Sequence, residues 1–217
     1  MEITYIGHSC FKIKGKNISL VIDPYDPTML GYKLPTLSAD AVLLTHDHPD
    51  HANVQGVKDY RLVISAPGEY EISDVFVYGL QTFHDESEGS KRGNNTIYSI
   101  EIDDFSLMHL GDLGHILSAE TLEKIGTVDV LMIPVGGVYT IDSAAAVKVI
   151  SSIEPGIIIP MHYQTADLKM AGDKLDSLDK FLDEMGIEKP RTEGKLKLSS
   201  RSDVPAESTV TVLTPEH

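Results

Sequence analysis

Residues 46–51 read His-Asp-His-Pro-Asp-His, three imidazoles and two carboxylates within six positions. Imidazole nitrogens and carboxylate oxygens suit zinc, iron or manganese, whereas closed structural zinc sites are commonly built on thiolates. A mixed set of this kind fits a catalytic ion that keeps one position open. His46 and His48 stand two apart, so at the end of an extended segment their side chains point the same way, while Asp50 and His51 turn with the following loop toward a neighbouring point. Two adjacent ions could share this one segment. The alternative is a polar loop whose histidines bond one another, which would gather several titrating imidazoles with nothing to compensate them.

The element that must present this cluster is a short apolar strand over residues 41–45, which runs directly into His46. Before it, residues 3–6 and 11–14 alternate apolar with polar side chains, and a third strand, 18–22, follows the turn Gly15-Lys16-Asn17. Ile22-Asp23-Pro24 ends that strand, and residues 24–37 form a loop with room to cover a site. Further strands are predicted at 61–65, 75–80, 96–102 and 105–109. Strands and helices alternate beyond Gly111: a helix capped by Ser118 runs to Ile125, one opened by Asp142 to Ile153, and one from Asp173 to Met185 ends at Gly186. Continuous apolar strands lie at 130–135 and 156–161, and strands at 195–198 and 209–213 close the chain. Strands grouped first and helix-linked strands afterwards allow an α+β fold with two sheets face to face and helices outside, a four-layer αββα sandwich over residues 1–217 as a single domain, though the order alone does not distinguish it from other α+β folds.

With 18 basic and 33 acidic residues the net charge is −15, which disfavours a nucleic-acid backbone as partner and favours a small-molecule substrate. The basic stretch 189–201 reads as a solvated tail segment. No apolar run approaches the roughly 20 residues of a membrane-spanning helix. The N-terminus lacks the basic start and apolar stretch of a secretory signal, and Cys10 is the one cysteine, which together point to the cytoplasm.

His46, His48, Asp50 and His51 resemble the signature of the metallo-β-lactamase superfamily, whose members share the αββα sandwich and a one- or two-metal hydrolytic site. The family's later landmarks have counterparts in order: His84 in Thr82-Phe83-His84-Asp85, Asp112 in Leu110-Gly111-Asp112, and His162 in Pro160-Met161-His162-Tyr163. The resemblance implies that His46, His48 and His84 hold one divalent ion, that Asp50, His51 and His162 hold the other, and that Asp112 bridges them. Asp85 competes with His84 for its place. Gly7-His8-Ser9-Cys10, Gly93-Asn94-Asn95-Thr96 and Ile133-Pro134-Val135-Gly136-Gly137 are similar to a branch of small stand-alone members related to ascorbate-6-phosphate lactonase.

The function implied is a metal-dependent hydrolase with zinc, or else manganese or iron, in which two ions hold hydroxide for attack on a small ester, lactone or phosphodiester. Asp50 fixes an ion, and His8 and Tyr163 are the candidates for moving the leaving-group proton. His8 could equally cap its strand. His109 alternates with Phe105 and Leu107 and reads as a core histidine bonded to a carbonyl, His115 as a pocket residue or helix opener, and Cys10 as an apolar filler. Gly136-Gly137 reads as a close backbone approach near the site. His217, the last residue, is set aside. Two other functions compete: a metal-binding regulatory protein with little turnover, and a di-iron redox protein. Substrate choice falls to loops 24–37 and 85–93, and assembly into a dimer or closed ring is compatible with a chain of this size.

Overall fold

A computed structural model describes residues 1–216; His217 lies outside the described residues. The chain opens with β1 (Glu2–Gly7), β2 (Cys10–Lys14), β3 (Ser19–Ile22), α1 (Pro27–Leu30), β4 (Leu37–Ser38), β5 (Ala41–Leu43), β6 (Val57–Lys58) and β7 (Leu62–Ile64). Next come β8 (Gly68–Ile72), β9 (Val75–Phe83), β10 (Asn94–Ile102), β11 (Phe105–His109), α2 (Ala119–Ile125), β12 (Val130–Pro134) and α3 (Ser143–Ile153). It closes with β13 (Ile157–Met161), α4 (Leu178–Glu184), β14 (Arg191–Glu193), β15 (Lys195–Lys197) and β16 (Thr209–Leu213).

Two sheets carry the fold. One has six strands in the order β15-β1-β2-β3-β5-β7, and the other has eight in the order β14-β16-β13-β12-β11-β10-β9-β8. Strand side chains alternate between faces, and the alternation divides the core. From β5, Ala41 and Leu43 enter the cluster between the sheets, while Val42 faces outward; from β12, Val130 and Met132 face inward, and Leu131 and Ile133 face the helices. Strands buried on both sides therefore read as continuous apolar runs. Val149, Ile150, Phe181 and Leu182 of α3 and α4 cover the outer face of the eight-stranded sheet. On the other sheet the outer layer is thinner: α1 and flanking loops bring Tyr25, Leu30, Tyr32, Leu168 and Leu175 over Val21 and Val42. No helix among the described residues is long and apolar enough to cross a membrane.

Two expectations are corrected. The helix placed at 173–185 spans only Leu178–Glu184, because Ser177 caps it at the Lys180 amide and the preceding backbone is committed elsewhere. Asp173 N donates to the Tyr139 hydroxyl, and Asp176 N to the Gly136 carbonyl. The stretch 189–201 is not a solvated tail. It stitches the sheets together, with β14 paired to β16 in one and β15 to β1 in the other, and Arg191, Lys195, Lys197 and Arg201 pair with Glu193, Glu2 and Asp129. Strand β8 and the short helix α1 also escape the sequence reading, β8 because its residues lie mostly exposed at a sheet edge.

Strands β3, β5 and β7 are parallel, as are β11, β12, β13 and β16, so several strand ends gather at one edge of the sandwich. Ligands of open α/β sheets bind outside such carboxyl ends. Tyr98 ties the two sheets there: its hydroxyl donates to the Leu44 carbonyl (2.7 Å) and approaches that of Ile64 (3.2 Å). Tyr98→Phe leaves the Leu44 carbonyl short of a buried donor and is expected to cost about 1–2 kcal/mol. A urea titration would read this as a lower midpoint at unchanged slope, and an unchanged midpoint would contradict it.

Candidate metal centre

At that edge the first constraint is on imidazole tautomers. Asp23, fully buried at the end of β3, accepts from the Thr45 amide (2.8 Å) and the Thr45 hydroxyl (2.7 Å). Burial opposes its charge, but the bond and charge of His51 hold its carboxyl below the ordinary value. Because the Thr45 hydroxyl gives its single proton to this carboxylate, its 2.9 Å contact with His46 Nδ1 is a bond donated by the imidazole. His51 Nδ1 donates to Asp23 Oδ2 at 3.0 Å. Both rings thus turn Nε2 toward the site, and both Nε2 atoms are buried without a hydrogen-bond partner. A metal ligand needs that orientation, set by the bond its other nitrogen makes.

The nitrogens converge on Asp112. Its Oδ2 lies 3.2 Å from Nε2 of His84 and of His162, 3.4 Å from that of His51 and 3.9 Å from that of His46, while Oδ1 is buried without a partner. Burial works against ionised Asp112 and Asp50, yet the surrounding imidazoles outweigh it and hold both well below the usual carboxylate range. Burial, reinforced by neighbouring rings, pushes His46 down to about 3 and His8 to about 4, so both are neutral as ligation requires. His51 goes the other way: burial disfavours its charge, but Asp112, Asp23 and Asp50 raise it, and a cation at its Nε2 competes with a proton.

Ligand atoms of His46, His48 and His84 lie within 4.8 Å of one another, and so do those of His8, Asp50, His51 and His162. These are the two groups expected from the sequence with His8 added. His8 Nε2 meets Asp50 Oδ2 at 3.2 Å, and its ring stands 4.1 Å from that of His162. Buried imidazole nitrogens, two of them orphaned, facing ionised carboxylates are a donor set that fits divalent cations.

The backbone around Asp112 is built for this approach. Asn95, fully buried, accepts from the Asp112 amide (2.9 Å) and donates to Leu110 O and Thr82 Oγ1. Gly111 has φ +54, and a Cβ there would collide with Asn95 Oδ1 and with Thr45. A Cβ on Gly136 would strike the His162 carbonyl, which is the close approach expected of that glycine pair. His109 accepts from the Gly111 amide at Nδ1 and donates from Nε2 to the Ser9 carbonyl, so it is a satisfied core histidine.

Other predicted residues fall elsewhere. Asp85 spends its carboxylate on the backbone amides of Ser87, Gly89, Lys91 and Arg92, which lower it to about 2 against desolvation, and is thereby removed as a rival to His84. His115 accepts from the Phe83 amide and donates to the Ile116 carbonyl, which positions the strand end before His84. Tyr163 packs in the apolar cluster of Phe181 and Ile141, and burial pushes its hydroxyl up to about 12. It does not line the cavity of about 300 Å³ over the donor set, where His48, Asp50, His84, Asp112 and His162 are joined by Lys91, Arg92 and Tyr139. Cys10 is buried, as a filler should be. Asp23 and Asn95 were not singled out as functional from the sequence, and Lys91, Arg92 and Tyr139 carried no motif.

Residues 2–162 match the family model of the beta-lactamase superfamily domain. A UPF0173 protein of Pyrococcus abyssi is 33% identical over 188 residues, covering 76% of this chain and 84% of the relative. A UPF0173 metal-dependent hydrolase of Thermoplasma volcanium is 30% identical over 193 residues, covering 77% and 86%. Among solved structures, a Thermotoga maritima protein assigned to the zinc-dependent hydrolases of the metallo-β-lactamase superfamily superposes with a TM-score of 0.79 at 35% identity, covering 99% of both chains.

Asp23→Asn keeps the shape but cannot fix both tautomers, so zinc affinity measured against a chelating indicator is expected to fall by about 10–100-fold. Wild-type affinity in that variant would contradict the orienting role.

Proposed function

The chain belongs to the beta-lactamase superfamily and is a metal-dependent hydrolase, and on that premise we propose that it uses two divalent cations to cleave a small ester, lactone or phosphodiester. Zinc is the first choice and manganese or iron the alternatives, since the donors are imidazole and carboxylate. The observation that carries the reading is the meeting of four imidazole Nε2 atoms around one oxygen of buried Asp112, with a ligand group on either side. In this assignment His46, His48 and His84 hold one cation, Asp50, His51 and His162 the other, and Asp112 both. When bound, such a pair supplies Lewis acidity and a water that ionises near neutral pH.

The protein's own groups have separate tasks. Asp23 and Asn95 orient His46, His51 and Asp112 before substrate arrives, so no reorganisation is needed during reaction. His8 Nε2 steadies Asp50 Oδ2 and is the group we assign to proton movement; the buried Tyr163 packs the wall behind His162. We further read residues 1–217 as one hydrolase domain, because β14, β15 and β16 complete both sheets.

Two variants test the assignment. Asp112→Ala is expected to reduce the zinc content of untagged protein, counted by elemental mass spectrometry, from about two per chain to one or fewer. In a screen of lactones, esters and phosphodiesters, hydrolysis is expected to disappear with chelator, return with zinc, and fall by at least about 100-fold in His48→Ala. Full zinc content in the first variant, or full turnover in the second, would overturn the reading.

A further inference from the structure

Cations are scarce in this chain, 18 against 33 acidic residues, and at the surface Arg61, Lys124, Lys180 and Arg201 are paired with carboxylates. Among the described residues other lysines, such as Lys12, Lys58 and Lys148, form no salt bridge either, and it is position that sets Lys91 and Arg92 apart. Both line the cavity over the donor set, and among the described residues neither forms a salt bridge, although Glu86 and Glu88 belong to the same loop.

The loop that bears them is built to hold them there. Asp85 gathers the Lys91 amide at 2.9 Å and the Arg92 amide at 2.8 Å, with those of Ser87 and Gly89, so the stretch after His84 is folded around one buried carboxylate. The Arg92 guanidinium lies over the Tyr139 ring, 5.2 Å from its centroid. Tyr139 is itself fixed from two sides. Its hydroxyl accepts from the Asp173 amide at 3.0 Å, and its amide donates to Gly137 O at 2.6 Å across Val138. That i→i+2 bond makes a γ-turn, and it holds Val138, a β-branched and exposed residue, at φ +61. A β-branched side chain adopts that conformation only where the surroundings impose it. Three separate segments thus seat one guanidinium beside the predicted ligands.

An unpaired guanidinium and ammonium, preorganised in a cavity of an otherwise acidic protein, form a local positive field that attracts and orients an anion. We propose that Lys91 and Arg92, with Tyr139 as the seat of Arg92, receive an anionic group of the substrate lying beyond the scissile bond, a phosphate or a carboxylate. This rests on the hydrolase reading above and narrows it to substrates that carry a negative charge. Arg92 recognises two oxygens of the group in its planar fork, and Lys91 adds a point charge.

Isothermal titration calorimetry on zinc-reconstituted, untagged protein, with inorganic phosphate and succinate as separate probes, tests this. At least one probe is expected to bind the wild type, and the tighter of the two identifies the group. Arg92→Gln and Lys91→Gln should each weaken that probe about tenfold, and the double variant about 100-fold. Tyr139→Ala should match Arg92→Gln, whereas Arg92→Lys should recover part of the loss. Zinc is counted in every preparation, and the titrations are repeated after chelation. Affinity within twofold of wild type in the double variant at full zinc content places the anion on the metal ions alone and overturns the proposal, as does binding of neither probe by the zinc-loaded wild type. A wild type that takes up no zinc rejects the hydrolase reading instead, and the chelated titrations then judge Lys91 and Arg92 by themselves.

Discussion

Several imidazoles can be packed against two buried carboxylates within a few ångströms only if each ring's proton is assigned in advance. Asp23 makes that assignment for two of them at once, through Thr45 to His46 and directly to His51. Everything above it in the site inherits the result: Nε2 of both rings faces Asp112, and the lone pairs arrive where opposite charge is wanted. A buried, half-satisfied polar network is costly in a protein that has no use for it. Here the orphaned His46 Nε2, His51 Nε2 and Asp112 Oδ1 are atoms that a cation would satisfy, whereas the hydrogen bonds of Asp23, Asn95 and His109 are complete.

The fold serves this constraint by bringing strand ends together and then bending the chain sharply beyond them. Asp23, Gly111 and His162, just past β3, β11 and β13, all have left-handed backbones, and so does His8 in the turn between β1 and β2. Such conformations are uncommon for residues other than glycine, and at His8, Asp23 and His162 they turn the chain sharply where the strand ends meet. The inter-sheet core beneath is ordinary by comparison: β-branched and aliphatic side chains in alternation, closed at the site end by Tyr98, whose hydroxyl secures the carbonyl just before Thr45.

Much of this was legible in the sequence because it is local. The cluster 46–51 carries its geometry in its spacing, and His84, Asp112 and His162 each follow a recognisable strand. What was not legible depends on contacts between distant segments. Asp23 sits in Ile22-Asp23-Pro24, which reads as nothing more than the end of a strand; its partners are 22 and 28 residues away. Asn95 carries no role of its own in Gly93-Asn94-Asn95-Thr96 and proves to be a fully buried brace for Asp112. Tyr163 stands next to His162 in sequence, but with a left-handed backbone at His162 its side chain lies in the helix-covered layer. The helix expected from Asp173 begins later because its first residues are bonded to Tyr139 and Gly136, segments that no local period reveals.

The central claim is that Asp112 stands between two cation sites formed by His46, His48 and His84 on one side and Asp50, His51 and His162 on the other. Anomalous diffraction from zinc-saturated crystals of untagged protein, recorded above and below the zinc edge, tests it most directly. Two peaks about 3.5–4 Å apart, flanking the Asp112 carboxylate, are the predicted result. A single peak remote from Asp112, or none, would contradict the account.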